Sequence, residues 1–375
     1  VNSQRFTRDG SDALEERIDS TCRDIATEIT QRIPSDRLQG LVLAGGYGRG
    51  EGGVLETPEG HAPYNDLEFF LLLRGMPRLN ERRHGAEIHD LAHRMTERLG
   101  IEVEFKITSL EALAGGITTM FIYDLVEGHR IFAGPENLLE VCRPHAKASR
   151  IPPHEATRLL MNRCSGLLYA KERLSRDAFN REDADFVARN IAKARLALGD
   201  ALLAVHGLYH WSCIERHQVL RQLEWPELPL EELITAHADG VDFKLHPTTS
   251  TATHDELAAR HQSTLELAWP VWRHVEECRL HRPFPSPATY SRSGDKCPET
   301  QALKNLLLRL RTFGRRGLHS RPFRYPRAAL LNTLPILLWD AEAADPAWLS
   351  SQLVAPVTGW RDAIPAYQRL WEHYN

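Results

Sequence analysis

The feature that most constrains this chain is the segment Leu41-Val42-Leu43-Ala44-Gly45-Gly46-Tyr47-Gly48-Arg49-Gly50-Glu51. It is followed by Asn65-Asp66-Leu67-Glu68-Phe69, a carboxylate-x-carboxylate step inside a second apolar run. A short apolar run bounded by glycine predicts a buried strand. Gly45 and Gly46 open backbone conformations closed to other residues and leave no Cβ between the main chain and a ligand. Entry into a helix near Tyr47 would leave N–H groups without intrahelical partners, which favours an anion. Asp66 and Glu68 alternate with Leu67 and Phe69, so on a strand the two carboxylates share one face and the apolar side chains the other. Adjacent carboxylates repel unless a cation joins them, and oxygen donors of this kind suit Mg²⁺ shared with phosphate. Alone, a glycine turn or an Asp-x-Glu step is commonplace. In this order, each on its own apolar strand, they predict a site for a nucleoside triphosphate and its metal ions.

The combination resembles the nucleotidyltransferase fold of the DNA polymerase β superfamily. That pattern runs from an apolar strand through Gly-Gly or Gly-Ser and a short helix to a strand with Asp-x-Asp or Asp-x-Glu. The glycine segment is most similar to that of the uridylyltransferases of the nitrogen-regulatory PII protein. It also looks like the Gly-Ser-x-x-Arg-Gly-Glu run of minimal nucleotidyltransferases. The resemblance covers about residues 36 to 145. It implies an α+β chain, with an N-terminal catalytic domain of mixed sheet and flanking helices followed by a mostly α-helical domain. It implies that Gly45, Gly46, Tyr47 and Arg49 hold the triphosphate, and that Asp66 and Glu68 bind two Mg²⁺ ions, for which Mn²⁺ is an acceptable substitute.

Families of this fold carry a third carboxylate on a later strand. Here Ile101-Glu102-Val103-Glu104-Phe105-Lys106-Ile107 alternates apolar with charged, so Glu102, Glu104 and Lys106 share a face. Glu104 is favoured as the third metal ligand, with Glu102 as the alternative. The stretch from Tyr123 to Gly134 resembles the closing strand region of such domains. Two departures stand out. The second metal carboxylate is Glu rather than Asp. The spacer to Asp66 is long and holds a turn-rich insert from Glu56 to Pro63, which leaves the job of Arg49 open. The implied reaction transfers a nucleoside monophosphate from an NTP to a hydroxyl, releasing pyrophosphate. A small-molecule acceptor comes first, a protein Tyr, Ser or Thr second and an RNA 3′ end third. A non-catalytic nucleotide-binding or antitoxin-like partner protein is the alternative outside enzymes.

Composition narrows the setting. The 375 residues are 42% hydrophobic and 26% charged, as in an ordinary globular protein of two domains or so. No apolar run approaches a membrane span and the N-terminal residues lack a signal core, which predicts a cytoplasmic protein without a membrane partner. Cys22, Cys142, Cys164, Cys213, Cys278 and Cys297 show no paired spacing, which predicts reduced thiols. A net charge of −4 exerts no global pull on nucleic acid. The distribution of charge is less even. From Gln301 to Trp339 no acid occurs, while Lys304, Arg309, Arg311, Arg315, Arg316, Arg321, Arg324 and Arg327 do. Such a block is a phosphate-facing surface or, more commonly, a solvated face.

Periodicity orders the rest. Residues 11 to 33 predict an amphipathic helix, residues 36 to 150 the catalytic domain and residues 151 to 281 a helical domain. Residues 282 to 300 predict a linker or flap, and residues 301 to 375 a C-terminal helical segment. Within the helical domain one helix starts near His154. A second runs from about Glu182 to Tyr209 or beyond, and a third starts at His254. On the second, small residues surround Arg189, Lys193 and Asp200. If this domain completes the cleft, Lys193 would reach the triphosphate and Asp200 would act as a base or hold the acceptor hydroxyl. The commoner reading is a Lys–Asp pair linking helices. His206, His210, Cys213 and His217 fall at helical spacing, which would line one face with metal-capable groups, although such stripes are more often polar faces. His210, between Tyr209 and Trp211, is also a candidate substrate contact.

Overall fold

The computed structural model describes residues 5–318 and 322–374. Helix α1 (Asp12–Arg32) is capped by the Ser11 hydroxyl and buries Leu14, Ile18, Cys22, Ile25 and Ile29 along one stripe, the spacing expected of a helix packed on a sheet. Strand β1 (Leu38–Leu43) runs into the one-turn helix α2 (Gly45–Gly48). The insert after it is a hairpin of β2 (Val54–Thr57) and β3 (Gly60–Pro63). Strand β4 (Leu67–Leu73), helix α3 (Pro77–Leu99) and strand β5 (Val103–Thr108) follow, then α4 (Leu110–Ala114), α5 (Met120–Glu127) and β6 (Arg130–Ala133). Four of the strands form one mixed sheet in the order β5-β4-β1-β6. β1 is antiparallel to β4 and β6, and β4 is parallel to β5.

The side-chain period of two divides the sheet into two faces. Leu41, Leu43, Leu67, Phe69 and Leu71 join α1 and α3 in one core. Val42, Ala44, Phe70 and Leu72 join Leu113 of α4 and Leu125 and Val126 of α5 in the other. The expected closing strand is shorter than its sequence suggests. Tyr123 to Glu127 belongs to α5, started by the Thr119 cap, and Gly128 ends that helix before β6.

The remaining helices are α6 (His154–Leu174), α7 (Arg181–Val205), α8 (Cys213–Leu220), α9 (Leu230–Leu245), α10 (His254–Leu280), α11 (Pro287–Arg292), α12 (Ala302–Phe313), α13 (Arg327–Trp339), α14 (Pro346–Leu353) and α15 (Trp360–Tyr374). The chain is thus α+β, a small sheet with a mostly helical remainder. By internal contacts it forms two compact units. The first comprises Val1–Glu155, His206–Leu223 and Ala238–Thr248, and the second Ala156–Val205, Glu224–His237 and Thr249–Asn375. The first unit is therefore discontinuous, which a contiguous reading at residue 150 does not anticipate.

Three local features differ from expectation. α7 stops at Val205 because Gly207 takes φ +70, a left-handed conformation that ends helices. α8 starts only at Cys213, capped by Ser212. His206, His210, Cys213 and His217 therefore do not share one helix face. The segment expected as a linker or flap is packed: Phe284, Tyr290 and Lys296 are at most 2% exposed, and the Tyr290 hydroxyl donates to the buried Glu276 at 2.8 Å. All six cysteines are free.

Candidate active site

β1 ends where the chain must turn across the end of β4. The Ala44 N–H donates to the Glu68 carbonyl at 2.8 Å, holding the glycine turn against the carboxylate-bearing strand. Gly45 has φ +65, and a Cβ there would lie 3.1 Å from Cδ of Glu68. A Cβ at position 45 would thus press on the Glu68 carboxylate. Gly46 is small for a different reason: its Cβ would lie 3.0 Å from the Glu51 carbonyl oxygen, where the loop returns over its own start.

The register of β4 with β5 pairs Glu68 with Glu104 across two parallel strands. By strand alternation both point to the face that carries α4 and α5. Asp66 immediately precedes β4, positioned by Asn65, whose Oδ1 accepts from the Gly53 N–H at 2.8 Å. Burial first, then the charges of Asp66 and Glu104, push the Glu68 carboxyl up to about 7. Burial, Asp66 and Glu102 raise Glu104 as well. Glu102 is not among the charges that raise Glu68, lies before β5 and accepts the Leu67 N–H with its carbonyl at 2.9 Å. Glu104 is the β5 carboxylate that pairs in register with Glu68 and acts on it. Burial and neighbouring carboxylates thus disfavour ionisation of Glu68 and Glu104, a repulsion that a cation would relieve.

The other loop residues sit elsewhere. The Tyr47 ring is fully buried in the α1–α3 core, its hydroxyl donating to the Gly53 carbonyl and accepting the Tyr64 N–H, both at 2.9 Å. Its side chain is a loop support, and only its backbone belongs to the turn. Arg49 forms a mostly buried ion pair with Asp124 of α5 at 2.9 Å. Against the cost of burial, Asp124 keeps its guanidinium firmly charged, and that charge in turn lowers the Glu68 carboxyl while Asp124 raises it.

Glu51 is an anchor the sequence reading passed over. It is 3% exposed and accepts from the Ser212 hydroxyl at 2.5 Å, the Cys213 N–H at 3.0 Å and Lys244 Nζ at 3.3 Å. Burial opposes its charge, yet Lys244 and these donors draw its carboxyl down to about 2. Its signal was the pairing of Gly50 with an acid just after the glycine turn. Its partners are more than 150 residues away in sequence, beyond any periodicity.

The more distant candidates divide. His210 lies in the turn before α8, stacked at a tilt on Trp211, and its Nδ1 accepts the Ser212 N–H at 3.1 Å. Lys193 is exposed on α7, and Asp200 is buried on α7 with His237 Nε2 donating to it at 3.1 Å. Both belong to the second unit. One partner of Asp200 is thus a histidine of α9. Of the predicted residues, Gly45, Asp66, Glu68 and Glu104 come together around the end of β4. Compared with protein-family models and with curated proteins, the chain matches none.

Proposed function

We propose that the first unit is a divalent-metal-dependent nucleotidyltransferase that moves a nucleoside monophosphate from an NTP to an acceptor hydroxyl. One observation carries this reading: Glu68, paired in register with Glu104 and next to Asp66, has its carboxyl raised to about 7 where the glycine turn abuts it. Carboxylates held together at the cost of repulsion would be relieved by a cation, and the glycine turn beside them would offer main-chain N–H groups to phosphate oxygens. Asp66, Glu68 and Glu104 would hold Mg²⁺, which supplies charge neutralisation on the triphosphate and a lower pKa for the acceptor hydroxyl. The chain's own contribution is positioning. The Ala44–Glu68 bond keeps turn and carboxylates in register, Arg49 and Asp124 set the field at Glu68, and Glu51 holds the far end of the turn.

A small-molecule hydroxyl is the first acceptor. A protein hydroxyl is the second. The test is incubation of the full chain with each α-labelled NTP, Mg²⁺ and a cell lysate fractionated into small molecules, protein and RNA. Label should move to one fraction, and Asp66→Asn should abolish the transfer. Transfer that survives in the variant or in EDTA would remove the reading.

A further inference from the structure

The acid-free stretch from Gln301 to Trp339 plays no part in the reaction just proposed. Arg321 lies outside the described residues, as does the Arg316 side chain. The helix that begins the stretch, α12, is turned inside out. Its inward side carries Asn305 and Arg309, one turn apart and each 4% exposed. Asn305 Nδ2 donates to the Thr300 hydroxyl at 2.9 Å and to the Phe323 carbonyl at 3.2 Å, and the Arg309 guanidinium lies over the Phe313 ring. Its outward side carries Leu303 and Leu307, also one turn apart, 73% and 67% exposed. Phe323 and Leu318 are exposed as well, and so are Lys304, Arg311 and Arg315. A surface helix normally does the reverse, burying leucine and hydrating arginine.

We propose that this face of α12 seats on an anionic lipid surface. Leu303 and Leu307 would enter the headgroup–acyl boundary, and Lys304, Arg311 and Arg315 would meet lipid phosphates. Charge complementarity selects the occupant. A second copy would set cations against cations. RNA would use the cations but leave Leu303 and Leu307 in water. A helix pinned from behind by Asn305 and Arg309 offers only one side. A flat interface takes one side of a helix and uses apolar and cationic groups together. Among the described residues no helix is long and apolar enough to cross a membrane; adsorption at the interface needs none.

The experiment is sedimentation of the full chain with vesicles of phosphatidylcholine containing about a third phosphatidylglycerol, and with vesicles of phosphatidylcholine alone. Binding should need the anionic lipid and weaken with salt. The double variant Leu303→Gln, Leu307→Gln should weaken it by about tenfold or more, with an unchanged circular dichroism spectrum, as expected for exposed positions. Arg311→Ala with Arg315→Ala should weaken it too. The proposal is overturned if the parent ignores anionic vesicles, or if the leucine variant binds them as tightly as the parent, which would mean adsorption by charge alone. It is also overturned if the parent ignores vesicles but forms a leucine-dependent dimer, binds RNA, or captures a protein through the same leucines.

Discussion

At the scale of single residues, Glu68 concentrates the conflict in this site. Its carboxyl titrates near 7 in the folded chain against an ordinary 4.5. The folded state therefore binds the extra proton, and its stability falls as pH rises from about 4.5 through about 7, then levels. Without metal, Glu68→Gln should remove that slope and stabilise the protein at pH 8 by roughly 1–3 kcal/mol, read as a higher thermal midpoint in EDTA. Mg²⁺ should raise the midpoint of the parent at pH 8 and raise that of the variant far less. An EDTA midpoint unchanged by the substitution would mean that Glu68 is not held under repulsion. Gly45 makes the complementary case. Gly45→Ala places a Cβ 3.1 Å from the Glu68 carboxyl carbon at φ +65. It should cost about 1–2 kcal/mol in strain and weaken Mg²⁺ binding measured by calorimetry. Gly46 is a poorer probe, because its Cβ would meet the Glu51 carbonyl whether or not phosphate binds.

At the scale of elements, the glycine turn is held at both ends. Its start is bonded to β4 through Ala44, and its end is clamped by Glu51 to the cap of α8 and to Lys244 of α9. The Glu51 carboxyl lies near 2 rather than 4.5, so its stabilisation is complete above about 4.5 and is lost as pH falls toward 2. Glu51→Ala would leave Lys244 mostly buried without this partner and should destabilise by about 3–5 kcal/mol, measured by urea unfolding at pH 7. Lys244→Met in the same background should recover part of the loss, because the orphaned charge leaves with it. A Glu51→Ala midpoint equal to the parent's would show that the clamp contributes nothing. The main strands and the long helices were legible from local pattern: β1 and β4 from apolar runs, β5 from alternation and α10 from its start at His254, where the structure adds a capping box of Thr253 and Glu256. α8 and α9 were missed because one is short and the other is flanked by prolines and charged residues, so neither carries a long apolar stripe.

At the scale of the whole chain, the first unit is completed by residues 206–223 and 238–248, which return to it after the chain has built α6 and α7. A fragment ending at residue 155 lacks Ser212, Cys213 and Lys244, the partners of Glu51. It should unfold without the cooperative transition of the full chain, seen in circular dichroism melts of the two. A fragment melting as sharply and as high as the full chain would mean that the returning segments are dispensable.

The sequence by itself determined the sheet, because alternation sets which side chains a strand buries. It also determined the meeting of Asp66 and Glu68 with the glycine turn, since all three lie at adjacent strand ends close in the chain. Tertiary structure alone set Glu104, and not Glu102 of the same parity, opposite Glu68 through the β4–β5 register. It also decided that Tyr47 supports the turn from the core, that Arg49 answers to Asp124, and that α12 shows its leucines outward. Those outcomes depend on which surfaces neighbouring elements cover, and coverage is set by packing across long separations, which local residue pattern does not encode.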